Sequence, residues 1–290
     1  MKQYLYLAIV VIVILLAIYI FIDSTNYRIT KYELESDIIN KDIHFVFISD
    51  LHECSYNKDN SAVISDIKKL EPEFIILAGD IFTSTKSKRH SFDKTINFVK
   101  ELSSICPVYY GLGNHEQRMK ERPEEYGDKY EYIYNNLKNA GICILDNESI
   151  DIEGNISITG LSIEMPYYRK LILRQMPNDY ISTILKGGDK NKNDSNKYSI
   201  LIAHNPEYFD NYTDYGSDLV LSGHNHGGIA CLPLLGGVLA PSYKIFPKYD
   251  FGVFKSKNTT MILSRGMGGH TIPLRFNNRA ELIDVKIKRK

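Results

Sequence analysis

The chain begins with an unbroken run of apolar residues. Tyr4 to Ile22 are nineteen consecutive hydrophobic residues, and Lys2 is the only charged side chain among the first 22. As a helix this run would span about 28 Å, close to the hydrocarbon thickness of a bilayer. Every face of such a helix is apolar, which argues against a helix lying on a membrane surface. The pattern predicts a transmembrane anchor over residues 1–25.

A cleaved signal peptide is the alternative to an anchor. The apolar run exceeds the usual length of about 7–15 residues, and no small-x-small cleavage pattern follows Ile22. Basic residues lie on both sides of the run, so the positive-inside rule does not decide its orientation. Because almost nothing precedes the run, we expect a single-pass anchor with the body of the protein outside the cytoplasm.

After the anchor, residues 26–40 are polar without strong periodicity, which predicts a polar stalk. From Ile43 onward short apolar runs alternate with amphipathic patterns, and this alternation predicts one α/β domain over residues 41–290 with buried sheets. Strands are predicted at Ile43–Ser49, Phe74–Ala78, Val108–Tyr110, Ile142–Leu145, Ile156–Thr159, Tyr198–Ala203, Leu219–Ser222, Thr260–Ser264 and Leu282–Ile287. Helices are predicted at Ala62–Leu70, Phe92–Ser103, Tyr126–Asn139 and Pro166–Leu185, and a polar surface loop at Gly187–Lys197.

Composition narrows the class of protein. The 290 residues carry 35 basic and 35 acidic side chains, a balance that argues against a nucleic-acid binder and against a disordered acidic chain. The four cysteines have no CxxC spacing, so either disulfides or free thiols are consistent with the sequence.

Five of the predicted strands are followed by residues that commonly bind metals. These strands lead into Asp50 and His52, Asp80, Asn114 and His115, His204, and finally His224 and His226. Five of the eight histidines lie in these turns. The carboxyl ends of strands in open α/β sheets form ligand crevices, so we expect these side chains to converge.

The convergent set is chemically coherent. Within Asp50-x-His52 and His224-x-His226, residues two positions apart project to the same side of an extended chain. Two carboxylates, one amide and four imidazoles give a mixed oxygen and nitrogen set without cysteine, unlike a structural zinc site. Seven ligands suffice for two ions if one carboxylate is shared. Mixed ligation of this kind suits Mn, Fe or Zn.

The order of these motifs resembles that of the calcineurin-like metallophosphoesterase superfamily. The motifs are Asp50-x-His52, Gly79-Asp80, Gly113-Asn114-His115-Glu116, His204-Asn205 and Gly223-His224-x-His226, and the resemblance covers roughly residues 41–288. With the apolar N-terminus, the chain is most similar to membrane-associated bacterial phosphoesterases that include a UDP-2,3-diacylglucosamine pyrophosphatase group. The resemblance implies a sandwich of two central β-sheets flanked by helices.

The resemblance also implies roles for individual residues. Asp50, His52 and His226 would bind a first divalent ion, Asp80 would bridge, and Asn114, His204 and His224 would bind a second. His115 would be the catalytic acid, and Glu116 would support the site. Arg265, His270 and Arg275 are the candidate contacts to substrate.

We therefore expect a membrane-anchored hydrolase with two divalent ions that cleaves a phosphodiester or pyrophosphate bond by attack of a metal-bridging hydroxide. The anchor and the resemblance favour a lipid-linked or cell-envelope substrate, with the bilayer as partner and no protein partner implied. A broad phosphodiesterase or phosphomonoesterase, including a protein phosphatase, is the alternative. A non-catalytic scaffold is disfavoured because every ligand position is filled.

Overall fold

The computed structural model describes residues 1–169, 173–185, 196–228, 230–232, 236–238, 245–269 and 274–290. The α-helices are α1 (Lys2–Thr25), α2 (Ser61–Leu70), α3 (Asp93–Ser103), α4 (Asn114–Glu121), α5 (Pro123–Tyr126), α6 (Lys129–Asn139), α7 (Tyr180–Ile184) and α8 (Phe209–Tyr215). The strands of the first half are β1 (Tyr27–Ser36), β2 (Ile43–Ile48), β3 (Phe74–Ala78), β4 (Val108–Gly111), β5 (Cys143–Leu145), β6 (Glu148–Ile152) and β7 (Ile156–Leu161). The later strands are β8 (Tyr198–Ala203), β9 (Leu219–Ser222), β10 (Cys231–Leu232), β11 (Gly236–Gly237), β12 (Gly252–Ser256), β13 (Thr259–Leu263) and β14 (Ala280–Arg289).

Two six-stranded sheets form the centre of the body. The first has the order β1-β14-β2-β3-β4-β5 and the second the order β12-β13-β9-β8-β7-β6. In the first sheet β2, β3, β4 and β5 are parallel, and in the second β7, β8, β9 and β13 are parallel. Each parallel set directs its carboxyl ends to one edge of its sheet.

Alternation along the strands produces three apolar layers. Phe45 and Phe47 on β2 face Ile200 and Ile202 on β8 in a cluster between the two sheets. The neighbouring residue Val46 packs against helices outside the first sheet, while Leu201 packs against helices outside the second. Side chains of a strand point alternately to its two faces, so each sheet is buried on both sides. The expected sandwich of two sheets flanked by helices is confirmed.

The segment expected to be a polar stalk is instead an edge strand. Residues Tyr27 to Ser36 form β1 and pair in parallel with Ala280 to Arg289. Tyr32 and Leu34 on one face of β1 pack against the cluster between the sheets, while its other face is exposed. An edge strand with one solvated face has a largely polar sequence. Because its partner strand lies about 250 residues away, the sequence did not reveal the pairing.

The single helix expected over Pro166–Leu185 is wrong. Among the described residues this region contains a short 3₁₀ turn at Met165–Tyr168 and the five-residue helix α7. Strands β6 and β12 and helix α4 were not predicted. The loop expected at Gly187–Lys197 lies almost wholly outside the described residues. The four cysteines are free thiols.

Helix α1 is long and apolar enough to cross a membrane, judged by length and composition. Its last turn nevertheless belongs to the body, because Asp23 is buried there. The Asp23 carboxylate accepts a hydrogen bond from the Asn278 backbone N–H at 2.8 Å and lies 3.4 Å from Arg279 Nε. The Ser24 hydroxyl accepts a hydrogen bond from the Arg275 N–H at 2.8 Å. The helix therefore leaves the body beside the segment that precedes β14.

Candidate metal centre

The loops after five parallel or neighbouring strands bring all seven expected ligands together. Backbone hydrogen bonds fix the first two loops to each other, because Asp50 N–H donates to Gly79 O at 3.0 Å and His52 N–H donates to Asp80 O at 3.0 Å. The loops after β4 and β9 donate hydrogen bonds to the carboxylates of Asp80 and Asp50. His115 N–H donates to Asp80 Oδ1 at 2.8 Å, and His224 N–H donates to Asp50 Oδ1 at 3.0 Å.

Close approach of these loops requires glycine. Gly79 has φ +81°, and a Cβ atom there would lie 2.5 Å from the backbone of Gly113. A Cβ at Gly223 would lie 2.1 Å from Asp50 Oδ2. The glycines beside the ligands are thus fixed by conformation at Gly79 and by space at Gly223.

The ligand loops also hold non-glycine residues in the left-handed region. Positive φ angles occur at Asp50, His52, Asp80, His224 and His226, with values between 46° and 70°. Such residues are uncommon because the side chain crowds the backbone, and they cluster at functional sites where surrounding structure enforces them. Sequence patterns carry no signal for this backbone geometry.

The first group of expected ligands is compact. His226 Nε2 lies 3.3 Å from Asp50 Oδ1 and 3.2 Å from His52 Nε2. One ligand atom from each of Asp50, His52 and His226 lies within 4.8 Å of the others, an arrangement that could hold a metal ion.

The second group adjoins the first through Asp80. His204 Nε2 lies 3.1 Å from Asp80 Oδ2, and His52 Nε2 lies 3.8 Å from the same oxygen. Asp80, His204 and His224 form another set whose ligand atoms lie within 4.8 Å of one another. The Asn114 amide approaches Asp80 Oδ2 at 3.2 Å and His224 Nδ1 at 2.8 Å. The Asp80 carboxylate therefore lies between the two groups.

Two buried side chains test whether a cation fits here. His204 Nδ1 lies 2.7 Å from the Ala78 carbonyl and so donates to it, which in a neutral ring leaves Nε2 as an acceptor facing the Asp80 carboxylate. The Asn114 side-chain oxygen faces Asp80 Oδ2 and His224 Nδ1, both acceptors, a conflict that either a cation or a turned-over amide would relieve. Acceptors that converge in a buried space need a positive charge between them, so the donor set fits a divalent cation.

The pKa shifts of His204 and Asp50 are consistent with a site for a cation. Burial lowers the pKa of His204, but the carboxylates of Asp80 and Asp50 outweigh burial and raise it to about 10. Burial raises the pKa of Asp50 to about 6, and the neighbouring Asp80 carboxylate adds to that shift. In the absence of metal a proton on His204 supplies the positive charge, and a bound cation would replace it.

Glu116 supports the site without being a ligand. Its Oε2 accepts hydrogen bonds from the backbone N–H groups of Asp80 and Gly113, both at 3.0 Å. Its Oε1 accepts from the Phe82 N–H at 2.9 Å and from the Tyr110 hydroxyl at 2.7 Å. These four bonds join the loops after β3 and β4, so this carboxylate fixes Asp80 through its backbone.

His115 is oriented by a residue that sequence reasoning missed. Its Nδ1 accepts a hydrogen bond from the Ser84 backbone N–H at 2.9 Å, and the Ser84 hydroxyl lies 3.0 Å from the same nitrogen. Arg118 Nη1 donates to that hydroxyl at 3.0 Å. Because Nδ1 is an acceptor, the proton of the neutral ring resides on Nε2.

Asn278 is a second residue that sequence reasoning missed. Its side-chain Nδ2 donates to the carbonyls of His226, at 2.7 Å, and Gly228, and its Oδ1 accepts from Arg265 Nη1 at 2.9 Å. Its backbone N–H donates to Asp23 at the end of α1. Asn278 therefore connects the backbone of the His226 loop to the end of the apolar helix. The Asn277-Asn278 pair before β14 gave no signal of this role.

Two of the three expected substrate contacts, Arg275 and Arg265, are buried inside the protein. Arg275 is only 5% exposed, and its guanidinium donates to the carbonyls of Asn278, Arg265, Gly266 and Gly268. Its donors are thus occupied in holding the loop that covers Asp50, which corrects the expectation of a phosphate contact. Arg265 is also buried, with its guanidinium 3.2 Å from the centre of the Phe251 ring. His270, the third candidate, lies outside the described residues.

Carboxylate, amide and imidazole groups that could hold metal ions, gathered around Asp80 at the strand ends of a two-sheet sandwich, are the arrangement expected of a metal-dependent phosphoester hydrolase. The calcineurin-like phosphoesterase family model matches residues 43–228, and the chain belongs to this family.

Three curated bacterial relatives illustrate the range of similarity. The uncharacterized metallophosphoesterase YkuE of Bacillus subtilis is 28% identical over 247 residues, which are 84% of this chain and 78% of the relative. An uncharacterized metallophosphoesterase of Helicobacter pylori is 28% identical over 256 residues, 87% of this chain but only 61% of the relative. The phosphodiesterase YaeI of Escherichia coli is 26% identical over 252 residues, which cover 83% of this chain and 81% of the relative.

Proposed function

We propose that this protein is a membrane-anchored phosphoesterase with two divalent ions that hydrolyses a phosphodiester or pyrophosphate bond of a lipid-linked or cell-envelope substrate. The position of Asp80 carries the two-ion part of the proposal. Its Oδ2 lies 3.1 Å from His204 Nε2 in one group and 3.8 Å from His52 Nε2 in the other. A carboxylate between two sets of ligands suits the shared ligand of a binuclear centre.

In this proposal Asp50, His52 and His226 hold the first ion, and Asn114, His204 and His224 hold the second. When bound, two Mn, Fe or Zn ions would neutralise phosphate oxygens and lower the pKa of a water molecule held between them. The Ala78 carbonyl keeps the His204 ring in the tautomer whose Nε2 is free to ligate. Glu116 keeps Asp80 in place through the backbone.

His115 is the proposed acid of the reaction. The Ser84 N–H donates to Nδ1, so a neutral ring carries its proton on Nε2, and this proton would pass to the oxygen that leaves phosphorus. Imidazole gives up a proton readily near neutral pH, which suits this role.

The membrane part of the proposal rests on α1. We propose residues 1–25 as the anchor and an extracytoplasmic body that starts with β1. Support comes from the length and hydropathy of α1 and from the contact of its last turn with the segment that holds the His226 loop. Protease added to intact spheroplasts should then remove the body, whereas a cytoplasmic body would be protected.

A broad phosphodiesterase is the second candidate, and it is favoured by the similarity to YaeI, which is named a phosphodiesterase. Substrate comparison separates the two candidates. Full-length protein in proteoliposomes, loaded with Mn²⁺, should hydrolyse bis-p-nitrophenyl phosphate faster than p-nitrophenyl phosphate. It should also hydrolyse a bilayer-embedded lipid pyrophosphate faster than a nucleotide-linked pyrophosphate. Equal rates on the two pyrophosphates would support the broad enzyme.

The Asp80→Ala variant tests the centre itself. We expect it to lose metal-dependent hydrolysis and to bind fewer than two ions per chain by elemental analysis. Glu148→Ala removes an exposed carboxylate on β6 and is the matched control. Retention of metal-dependent turnover by Asp80→Ala would contradict the shared-carboxylate centre.

A further inference from the structure

The most exposed apolar side chains of the described body lie on loops at the sheet edge that carries the candidate ligands. Outside α1, eight large hydrophobic side chains of the described residues are classed as exposed: Ile29, Tyr132, Leu173, Leu232, Ile245, Phe246, Val253 and Leu274. The four most exposed are Ile245 at 69%, Leu274 at 53%, Phe246 at 51% and Leu173 at 47%. All four lie on loops that follow β7, β9 or β13, whose carboxyl ends share the edge that carries the ligands.

We define the rim patch as Leu232, Ile245, Phe246 and Leu274. Hydrogen bonds connect the segments that carry it, because Phe246 N–H donates to Val238 O at 3.0 Å and Val238 N–H donates to Ala230 O at 2.8 Å. Ala230 in turn forms a parallel bridge with Phe276, two residues after Leu274. The rim patch therefore belongs to one continuous layer of backbone.

This layer is continuous with the apolar helix. The Phe276 ring packs edge-on against Tyr19 of α1, with ring centres 5.7 Å apart. The Tyr19 hydroxyl lies 3.4 Å from Asn277 Oδ1. Tyrosine near the end of a membrane helix is typical of the interface between hydrocarbon and water. The layer that carries the rim patch thus starts at the depth where α1 would leave a bilayer.

The same layer contacts the ligand loops. Asn278 follows Phe276 by two residues, is buried, and donates to the His226 carbonyl at 2.7 Å. The end of α1, the rim patch and the ligand groups therefore lie at one edge of the sheets. A bilayer crossed by α1 would meet this edge first.

We infer that the rim patch is a membrane-contact surface that enters the headgroup region of the bilayer crossed by α1. Exposed apolar side chains beside a membrane helix gain by leaving water, and the neighbouring helix holds them at the bilayer without a separate binding cost. The inference deepens the proposed function and rests on its anchor. It places the metal centre at the depth of lipid phosphate groups, which is where a lipid-linked substrate presents its phosphorus.

The chain contains no tryptophan, so single tryptophans can report depth. Phe246→Trp probes the rim patch, and Leu15→Trp probes the middle of α1. Asn258→Trp is the control, because the turn between β12 and β13 lies at the opposite edge of the second sheet. Each full-length variant is reconstituted in phosphatidylcholine vesicles that contain lipids brominated at shallow or deep acyl positions. Mn²⁺-dependent hydrolysis of bis-p-nitrophenyl phosphate shows that each variant is folded.

We expect at least twofold quenching of Phe246→Trp, stronger with shallow than with deep bromines, and no quenching of Asn258→Trp. Leu15→Trp should be quenched most by the deep bromines. If Leu15→Trp is quenched but Phe246→Trp behaves like the control, the membrane-contact surface is refuted while the anchor stands. If neither is quenched, both fail, and retained hydrolysis still leaves the phosphoesterase centre intact. Cross-linking of Phe246→Cys to a second copy without quenching of Phe246→Trp would assign the patch to a protein interface instead.

Discussion

Asn278→Ala is the substitution whose effect the structure predicts most specifically. The side chain of Asn278 is 1% exposed and makes three hydrogen bonds, two to the carbonyls of His226 and Gly228 and one from Arg265. Alanine removes all three and leaves buried partners without replacements. The perturbation acts on the backbone of a proposed ligand without touching any ligand side chain.

The expected loss follows from the number of bonds. A buried hydrogen bond contributes about 1 kcal/mol net, so three lost bonds predict a decrease of about 3 kcal/mol in the free energy of unfolding. A loss of that size lowers the melting temperature of a body this large by about 6–12 °C. Loosening of the His226 loop should also weaken Mn²⁺ binding about tenfold, the lower range for residues that orient metal ligands.

Thermal unfolding of the full-length protein in detergent, with and without Mn²⁺, measures the first quantity, and Mn²⁺ titration of hydrolysis measures the second. Asn135→Ala is the matched control, because it removes the same kind of amide from the exposed face of α6 and should change the free energy of unfolding by less than about 1 kcal/mol. Equal melting temperatures and equal Mn²⁺ affinities for the two variants would refute the reasoning.

Two further predictions concern protons. His115→Ala should slow hydrolysis of an alkyl phosphodiester about 10²-fold and of a p-nitrophenyl ester much less, because p-nitrophenolate leaves without a proton; equal losses on both substrates would exclude the role as an acid. The pKa of His204 in the folded, metal-free protein is about 10, above its ordinary value of 6.5. The charged form of His204 therefore stabilises the fold fully below pH 6.5, and this stabilisation is lost as the pH rises through 10. Metal binding at pH 8 should therefore release about one proton from His204, and calorimetry in Tris and in HEPES should give enthalpies that differ accordingly; identical enthalpies after correction for buffer binding would contradict the prediction.

The candidate site was largely readable from the chain because its signal is local. Asp50, Asp80 and His204 each lie within two residues of the end of a buried apolar strand, and the carboxyl ends of parallel strands share an edge. The residues that position them were not readable in the same way. Ser84 acts through its backbone N–H on His115, and Asn278 acts on the His226 carbonyl across 52 positions of sequence. Neither residue belongs to a repeated or spaced pattern.

Failures of the fold prediction have the same cause. β1 is exposed along one face and pairs with β14 at the other end of the chain, so its polar sequence resembled a stalk. Arg275 looked like a free cation for a phosphate, yet four backbone carbonyls bury it. Burial of a charged side chain depends on which carbonyls the fold delivers, and no local composition reports that.

The sequence by itself determined the apolar helix, the alternation of strands and helices, and the residue types of the candidate metal centre, because hydrophobic periodicity and strand-end chemistry are local properties. Only the tertiary structure decided that Asp80 lies between two ligand groups, that Glu116 and Asn278 hold the ligand loops, and that α1 ends beside those loops. These relations depend on contacts between segments far apart in the chain. Such contacts form only when buried faces and unsatisfied backbone groups find partners in the folded protein.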